Sequence, residues 1–272
     1  MSAFTFMDAE AEDLGRQFLE NGRLILPVEN MDALQAIRYS VAEIAAEAID
    51  VALPQDIDDF LNGFHTQVTV DQLNNVRLAV INGMNDKPWL RAAYFLLARS
   101  AIYAVVSNEL AMQRRVNLSI QMPDDESSIL PVHADVWSGD SPYEIVLWVP
   151  LVDCHDSKSM YLMPPGPDRD VQGNMGATFK GSSEEDLFAA IKGDVEWMNV
   201  PFGHVLMFSQ TLMHGNRVNE TAETRWSMNC RFKSLFSPYA DKRLGEFFEP
   251  VTMRAATEMA LAYNLPTGFD HD

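Results

Sequence analysis

At 272 residues, 47% of them apolar, the chain is long enough to build one sizeable core or two small ones. Its 39 acidic against 20 basic residues leave a formal charge of −19, which repels phosphate backbones and anionic membranes and so argues against general nucleic-acid or headgroup binding. No apolar run reaches the roughly 18 residues of a membrane span, and two cysteines without a CxxC, Cys154 and Cys230, point to a reducing, cytoplasmic setting rather than a disulfide scaffold.

The opening "MSAFTFMDAEAEDLGRQ" has neither a basic n-region nor an apolar h-region, so it does not read as a signal peptide. Helical spacing over 8–21 is closed by "ENG" and followed by a short strand, "RLILPV". Further helices are expected over 31–50, 70–83 and 87–107, the last with Pro88 in its first turn. From about residue 111 the pattern changes to short apolar or alternating runs: "RVNLSIQM", "LPVHADVW", "EIVLWVPLV", "SMYLMP", "DVEWMNVP", "HVLMFS" and "RWSMNCRFKSLF". Many short strands parted by Gly, Pro, Asp and Ser indicate a sandwich, barrel or jelly roll. Residues 164–186, polar and Gly-rich, read as a mobile loop able to act as a lid. A last helix is expected over 251–263. With no repeat and no linker, one domain over 1–272 is expected: a helical flank to about 110, a jelly-roll core over about 111–237 and the C-terminal helix.

The chemistry starts at "SSILPVHADVWSG". In a strand, residues i and i+2 share a face, so His133 and Asp135 would project together with Val132, Ala134 and Val136 opposite. Burying both without a partner costs several kcal/mol, and a metal ion is one compensation. On the order of one His-x-acid pair is expected by chance in so acidic a chain, so further ligands are needed. His65 sits among helices, His155 in a polar turn and His271 in the tail, all three reading as surface residues, while His204 opens a strand. His214 stands where "GHVLMFSQTLMHGN" passes from strand to turn, the place a barrel-mouth ligand would occupy. Downstream, "RWSMNCRFK" puts Arg225, Ser227, Asn229, Arg231 and Lys233 on one face and Trp226, Met228, Cys230 and Phe232 on the other. That is either an edge strand wetted on one side or a barrel wall turned toward an anion, which Arg225 and Ser227 would hold together.

Two histidines and one carboxylate make the facial triad of non-haem Fe(II) sites, which leaves open positions for a 2-oxo acid and dioxygen. "PVHADVW", "SMYLMPPGP" and "PFGHVLMFSQTLMHGNRVNETAETRWSMNCRF" together resemble the phytanoyl-CoA dioxygenase-like branch of the Fe(II)/2-oxoglutarate oxygenases, and "FLENGRLILPVENMDALQAI" is similar to that family's opening. The resemblance covers most of 14–236. It implies a double-stranded β-helix (jelly-roll, cupin-like) core packed by N-terminal helices, mainly β with a helical flank. It implies His133, Asp135 and His214 as catalytic iron ligands, and Arg225 with Ser227 as the 2-oxoglutarate anchor. Asn117 and Gln121, on one strand face, would look into the same cavity. The implied reaction couples decarboxylation of 2-oxoglutarate, with dioxygen, to hydroxylation of a C–H bond. Two departures, Gly203-His204 for Gly-Asp and "PPGPDR" for "PGSH", concern the substrate entrance. Asp135 stands where related halogenases carry a small residue, which favours hydroxylation. The run 133–164 also resembles a subset encoded among bacterial surface-carbohydrate genes. That implies a small sugar or nucleotide-linked sugar as substrate, with Trp137, Tyr143 and Arg231 as contacts. Asp140 and Glu144 read either as further contacts or as loop packing and a solvated turn.

Other chemistries have less support. No GxSxG elbow, Walker A loop or GxGxxG is present. Cys154 beside His155 is poor geometry for a nucleophile–base pair, and the fifteen methionines read as core filler. A cupin-like isomerase or hydrolase that needs no 2-oxoglutarate, and a carbohydrate-binding β-sandwich, are the alternatives.

Overall fold

The structure is a computed structural model that describes residues 6–266, so His271 lies outside the described residues. The helices are α1 (Ala9–Asn21), α2 (Met31–Ala48), α3 (Ile57–Asn62), α4 (Val70–Asn85), α5 (Leu90–Leu96), α6 (Arg99–Val105), α7 (Pro165–Thr178), α8 (Glu184–Ile191) and α9 (Ala255–Ala262). The strands are β1 (Arg23–Pro27), β2 (Leu110–Gln113), β3 (Asn117–Gln121), β4 (Glu144–Pro150), β5 (Tyr161–Leu162), β6 (Glu196–Trp197), β7 (His204–Ser209), β8 (His214–Gly215), β9 (Arg225–Ser234) and β10 (Phe248–Thr252). They pair antiparallel into a major sheet, β1-β7-β4-β9-β2-β10 with β3 also on β9, and a minor sheet, β6-β5-β8. An isolated bridge from His133 to His214 extends the minor sheet by one more rung. This is a jelly-roll core with a helical flank.

Local chemistry explains the elements. Asn30 caps α2 by accepting from Ala33 N at 2.9 Å, and its stripe Leu34, Ile37, Val41 and Ala45 is fully buried. Helices α2, α4, α5 and α6 share one apolar cluster with Trp226, Met228, Cys230 and Phe232 of β9. The apolar side of "RWSMNCRFK" therefore packs on the helices, and its polar side faces the lumen. Strand β4 is buried at all seven positions because it lies between β7 and β9 with helices on one face and the lumen on the other.

Several expectations need correcting. The helix expected over 87–107 is two, because Ala98 leaves helical geometry (φ −150°) and Glu29 caps the new start at Ser100 N, 2.8 Å away. Pro88 precedes the first of them instead of lying in its first turn.

Residues 164–186 are not a loop. Pro165 opens α7, and Val171, Met175 and Phe179 at four-residue spacing pack against Val132, Tyr161, Met163 and Met213. A Cβ placed on Gly166, Gly173 or Gly176 would meet nothing within 4 Å, so these glycines lie on the open side and mark no turn. A Ser183–Asp186 capping box then starts α8.

The segment "LPVHADVW" is not a continuous strand either: only His133 makes a sheet bridge, and Asp135–Ser138 is a 3-10 turn. The sheet also exceeds the bounds 111–237, since β1 pairs with β7 and β10 with β2.

Candidate metal centre

The two histidines face each other across a reciprocal bridge. His133 N donates to His214 O at 3.0 Å, and His214 N donates to His133 O at 2.8 Å. Each imidazole is then oriented by the same device: Nδ1 lies 2.8 Å from the carbonyl two residues earlier, Pro131 O for His133 and Leu212 O for His214. A carbonyl only accepts, so Nδ1 carries the proton and the Nε2 lone pair of each neutral ring is left to bind a metal. The rings sit 4.3 Å apart, centroid to centroid.

Asp135, raised toward them by its 3-10 turn, places Oδ1 at 3.5 Å from His133 Nε2 and 4.0 Å from His214 Nε2. One ligand atom from each of the three residues lies within 4.8 Å of the others. The far oxygen of Asp135, Oδ2, is held at 2.8 Å by Arg231 Nη2. Next to His214, Gly215 must stay small: a Cβ would lie 2.6 Å from Tyr161 Oη and 2.8 Å from Leu130 O.

The charges follow this geometry. Burial alone would raise Asp135, but the His133 hydrogen bond and the Arg231 charge overcome it and hold the carboxyl well below the usual range. Burial, with the His133 charge, pushes His214 down to about 4. For His133 burial also lowers the pKa, but the Asp135 and Pro131 hydrogen bonds outweigh it and the net shift is upward. At pH 6, therefore, His214 is already neutral and His133 carries a proton that a metal must displace. Divalent-metal binding at pH 6 is expected to release about one proton and to tighten as pH rises through the His133 titration. Calorimetry in buffers of different ionisation enthalpy reads the proton count. Release of none or of two contradicts the assignment.

The triad opens into a cavity of about 450 Å³ between the sheets, lined among others by Asn117, Ser119, Trp148, Phe208, Asn216, Arg225, Asn229 and Arg231. Arg225 is 3% exposed; Nη1 donates to Ser159 O at 3.0 Å and Nη2 to Ser119 Oγ at 2.9 Å. Its Nε, the Ser227 hydroxyl beside it on the strand face and the Ser159 hydroxyl have no hydrogen-bond partner among the described residues. No carboxylate of the described residues pairs with Arg225, and burial lowers its pKa to about 10. A buried cation without a counter-charge among the described residues thus lines the same cavity as three groups that could hold a metal.

The other candidate residues fall elsewhere. Asn117 lines the cavity and donates to Asn229 Oδ1 at 3.1 Å, whereas buried Gln121 turns to Arg217 O and is not part of the described lining. Trp137 is 42% and Tyr143 57% exposed, and neither lines the cavity; the Trp137 indole N–H reaches Gln172 Oε1 at 3.1 Å. Arg231 does line it, but its guanidinium is committed to Asp135, to Asp140 Oδ1 at 3.2 Å and to Gln210 Oε1 at 3.1 Å. Asp140 and Glu144 are not a solvated turn: both are buried, the first paired with Lys242 and Arg231, the second bonded to Ser141 N and Gln210. His155 is partly exposed and pairs with Asp156, and His65 bonds to Thr224 Oγ1 at 3.0 Å. Arg77, from α4, lines the cavity and had no signal in the sequence, since nothing marks one helix arginine among others.

No protein-family model matches the sequence, and no curated protein matches it. Solved structures do match in fold. A non-heme monooxygenase, the ThoJ–Ni complex, superposes with a TM-score of 0.56 at 15% identity over 89% of this chain and 84% of that one. The non-heme alpha ketoglutarate dependent carbocyclase SnoK from nogalamycin biosynthesis gives 0.54 at 16% over 91% and 97%. EctD from S. alaskensis, with 2-oxoglutarate and 5-hydroxyectoine, gives 0.55 at 15% over 88% and 81%. At such identities the likeness establishes a shared jelly-roll fold. No helix among the described residues is long and apolar enough to cross a membrane.

Proposed function

We propose that this chain is a non-haem Fe(II)- and 2-oxoglutarate-dependent oxygenase of the phytanoyl-CoA dioxygenase-like branch, hydroxylating a small polar substrate. The observation that carries the reading is Arg225, a buried, unpaired guanidinium in the cavity that His133, Asp135 and His214 open into. The donor set fits iron: two neutral imidazoles with free Nε2 atoms and one carboxylate suit Fe(II) with coordination positions left open. The pocket fits a dianionic oxo acid, since Arg225 lines it with no counter-charge among the described residues, while the unpartnered hydroxyls of Ser227 and Ser159 lie outside the described lining. Iron and 2-oxoglutarate bound there would supply dioxygen activation, with the oxo acid leaving as succinate and carbon dioxide.

This chain's own residues do the rest. Pro131 O and Leu212 O fix the imidazole tautomers, Arg231 keeps Asp135 ionised and turned toward the histidines, and Arg225 anchors the far carboxylate. Val146, Trp148, Met160 and Phe208 line the cavity with apolar surface that limits water around the reacting atoms. The amide groups of Asn117 and Asn229, which line the cavity, suit a hydroxyl-bearing substrate, sugar-type included. Asp135 occupies a ligand position in full, which favours hydroxylation over halogenation. A cytoplasmic location belongs to the same proposal, because Cys154 and Cys230 are both free and buried.

The test is anaerobic titration with Fe(II) and then 2-oxoglutarate, following the visible metal-to-ligand charge-transfer band in the natural chain and in His133→Ala. A band that requires His133 supports the oxygenase. Iron binding with no band at saturating 2-oxoglutarate overturns it in favour of a cupin-like isomerase or hydrolase, for which Arg225 is dispensable.

A further inference from the structure

Helix α7 covers a second set of contacts that the proposed reaction does not use. Its Asp168 and Gln172 lie one turn apart on the same face, and Gln172 Nε2 donates to Asp168 Oδ2 at 2.8 Å. Asp168 Oδ1 accepts Met213 N at 2.7 Å, and Gln172 Nε2 also donates to Thr211 O at 2.8 Å. These two bonds grip the backbone on either side of Leu212, whose carbonyl orients the His214 ring. The remaining group of Gln172, Oε1, accepts the Trp137 indole N–H at 3.1 Å, and Trp137 belongs to the 3-10 turn that begins at Asp135.

The orientation of the Gln172 amide follows from chemistry. An indole N–H only donates and a carbonyl only accepts, so the oxygen must face Trp137 and the nitrogen Thr211. Both N–H donors and the oxygen are used, and the amide joins both ligand-bearing segments. Those segments need such a brace. Asp135 lies outside any strand, and His214 sits in a strand of two residues, so neither is fixed by a long ladder. Val171, Met175 and Phe179 anchor the helix by packing into the cluster around Met163 and Met213.

We propose that Asp168 and Gln172 are positioning residues that hold the His214 and Asp135 segments at the separation a bound divalent metal requires. The segment read from sequence as a lid is thereby a brace for the metal ligands, a role that rests on the metal-site reading of His133, Asp135 and His214.

The experiment measures Co(II) affinity by calorimetry, the Co(II) visible spectrum and the metal-free thermal midpoint in the natural chain, Gln172→Met, Trp137→Phe and Asn174→Ala. Gln172→Met keeps the volume and removes all three bonds. It is expected to bind Co(II) about tenfold more weakly, as loss of a group that orients a ligand does, with a changed Co(II) spectrum and a metal-free midpoint close to the natural chain's. Trp137→Phe, which removes one neutral hydrogen bond from an exposed side chain, is expected to lose about threefold, and it carries the test if Gln172→Met does not fold. Asn174→Ala, at an exposed position of the same helix whose side chain bonds to Asp170 O, is expected to change nothing. Natural affinity and spectrum in Gln172→Met and Trp137→Phe, whatever happens to the midpoint, would overturn the proposal and leave α7 a structural cover. Failure of the natural chain itself to bind Co(II) would instead remove the metal-site reading, and the brace with it.

Discussion

Arg225→Met is expected to bind Fe(II) as the natural chain does and to lose 2-oxoglutarate affinity by thirty-fold to several-thousand-fold. Truncating one member of a buried, hydrogen-bonded charge pair costs about 2–5 kcal/mol, and every 1.4 kcal/mol is about tenfold in Kd. Arg225 meets the conditions for the large end of that range: it is 3% exposed, and its guanidinium is already placed by Ser159 O and Ser119 Oγ. Arg225→Lys is expected to recover little, because an ammonium cannot present two parallel N–H groups to a carboxylate. The unliganded protein should respond in the opposite direction. A buried cation with no counter-ion among the described residues opposes folding, so ligand-free Arg225→Met should unfold at higher denaturant than the natural chain. Calorimetric titration with 2-oxoglutarate on the iron-loaded, anaerobic protein, beside urea unfolding without ligands, reads both. Unchanged 2-oxoglutarate affinity would remove Arg225 from the anchor role.

Arg231→Met carries the second large effect. The side chains of Arg231 and Asp135 are 13% and 10% exposed, and the substitution leaves the carboxylate buried beside two imidazoles without its cation. Breaking a buried pair in this way costs about 3–5 kcal/mol, so urea unfolding in the presence of a chelator should show a loss of that order. A divalent metal supplies positive charge at the same carboxylate. Excess Co(II) should therefore restore much of the loss, through preferential binding to the folded state. Asp140, the other acid on Arg231, keeps Lys242 and needs no such help. Equal stability of the two chains in chelator would show that His133, protonated, already neutralises Asp135.

Much of this site could be read along the chain, and the parts that could not share a cause. His133 and Asp135 were legible as a pair although the strand expected to present them is absent. Alternation with buried Val132 and Ala134 looks the same whether the backbone continues as a strand or bends into a 3-10 turn after one bridge. The alternation along β9 was stronger, because ten consecutive residues separate a lumen face from a helix-packed face. Helix α7 was missed because three solvent-side glycines and two prolines dominate its composition, while its apolar stripe has one residue per turn. Roles that depend on distant partners left no trace: Arg231 on Asp135, Gln172 on Trp137, and Arg77 on the cavity wall all join segments that only the fold brings together. The sequence likewise leaves Asp140 and Glu144 open between substrate contacts, loop packing and a solvated turn, since nothing local reveals Lys242, Arg231 and Gln210 around them.

A chain of net charge −19 with a cavity lined by Arg77, Arg225 and Arg231 separates how tightly an anion would be held from how fast it would arrive. A dianion approaching from bulk water climbs a repulsive potential before it meets the first arginine. Once inside, it meets Arg225, the cavity arginine without an acidic partner among the described residues, at close range and low dielectric, where mobile ions barely intervene. Salt shortens the reach of the outer field to about 10 Å at 0.1 M and leaves the inner contacts almost untouched. If the proposed dianion binds there, added salt is expected to speed its association and hardly change its dissociation, the reverse of electrostatic steering, and stopped-flow binding at two ionic strengths reads both rates.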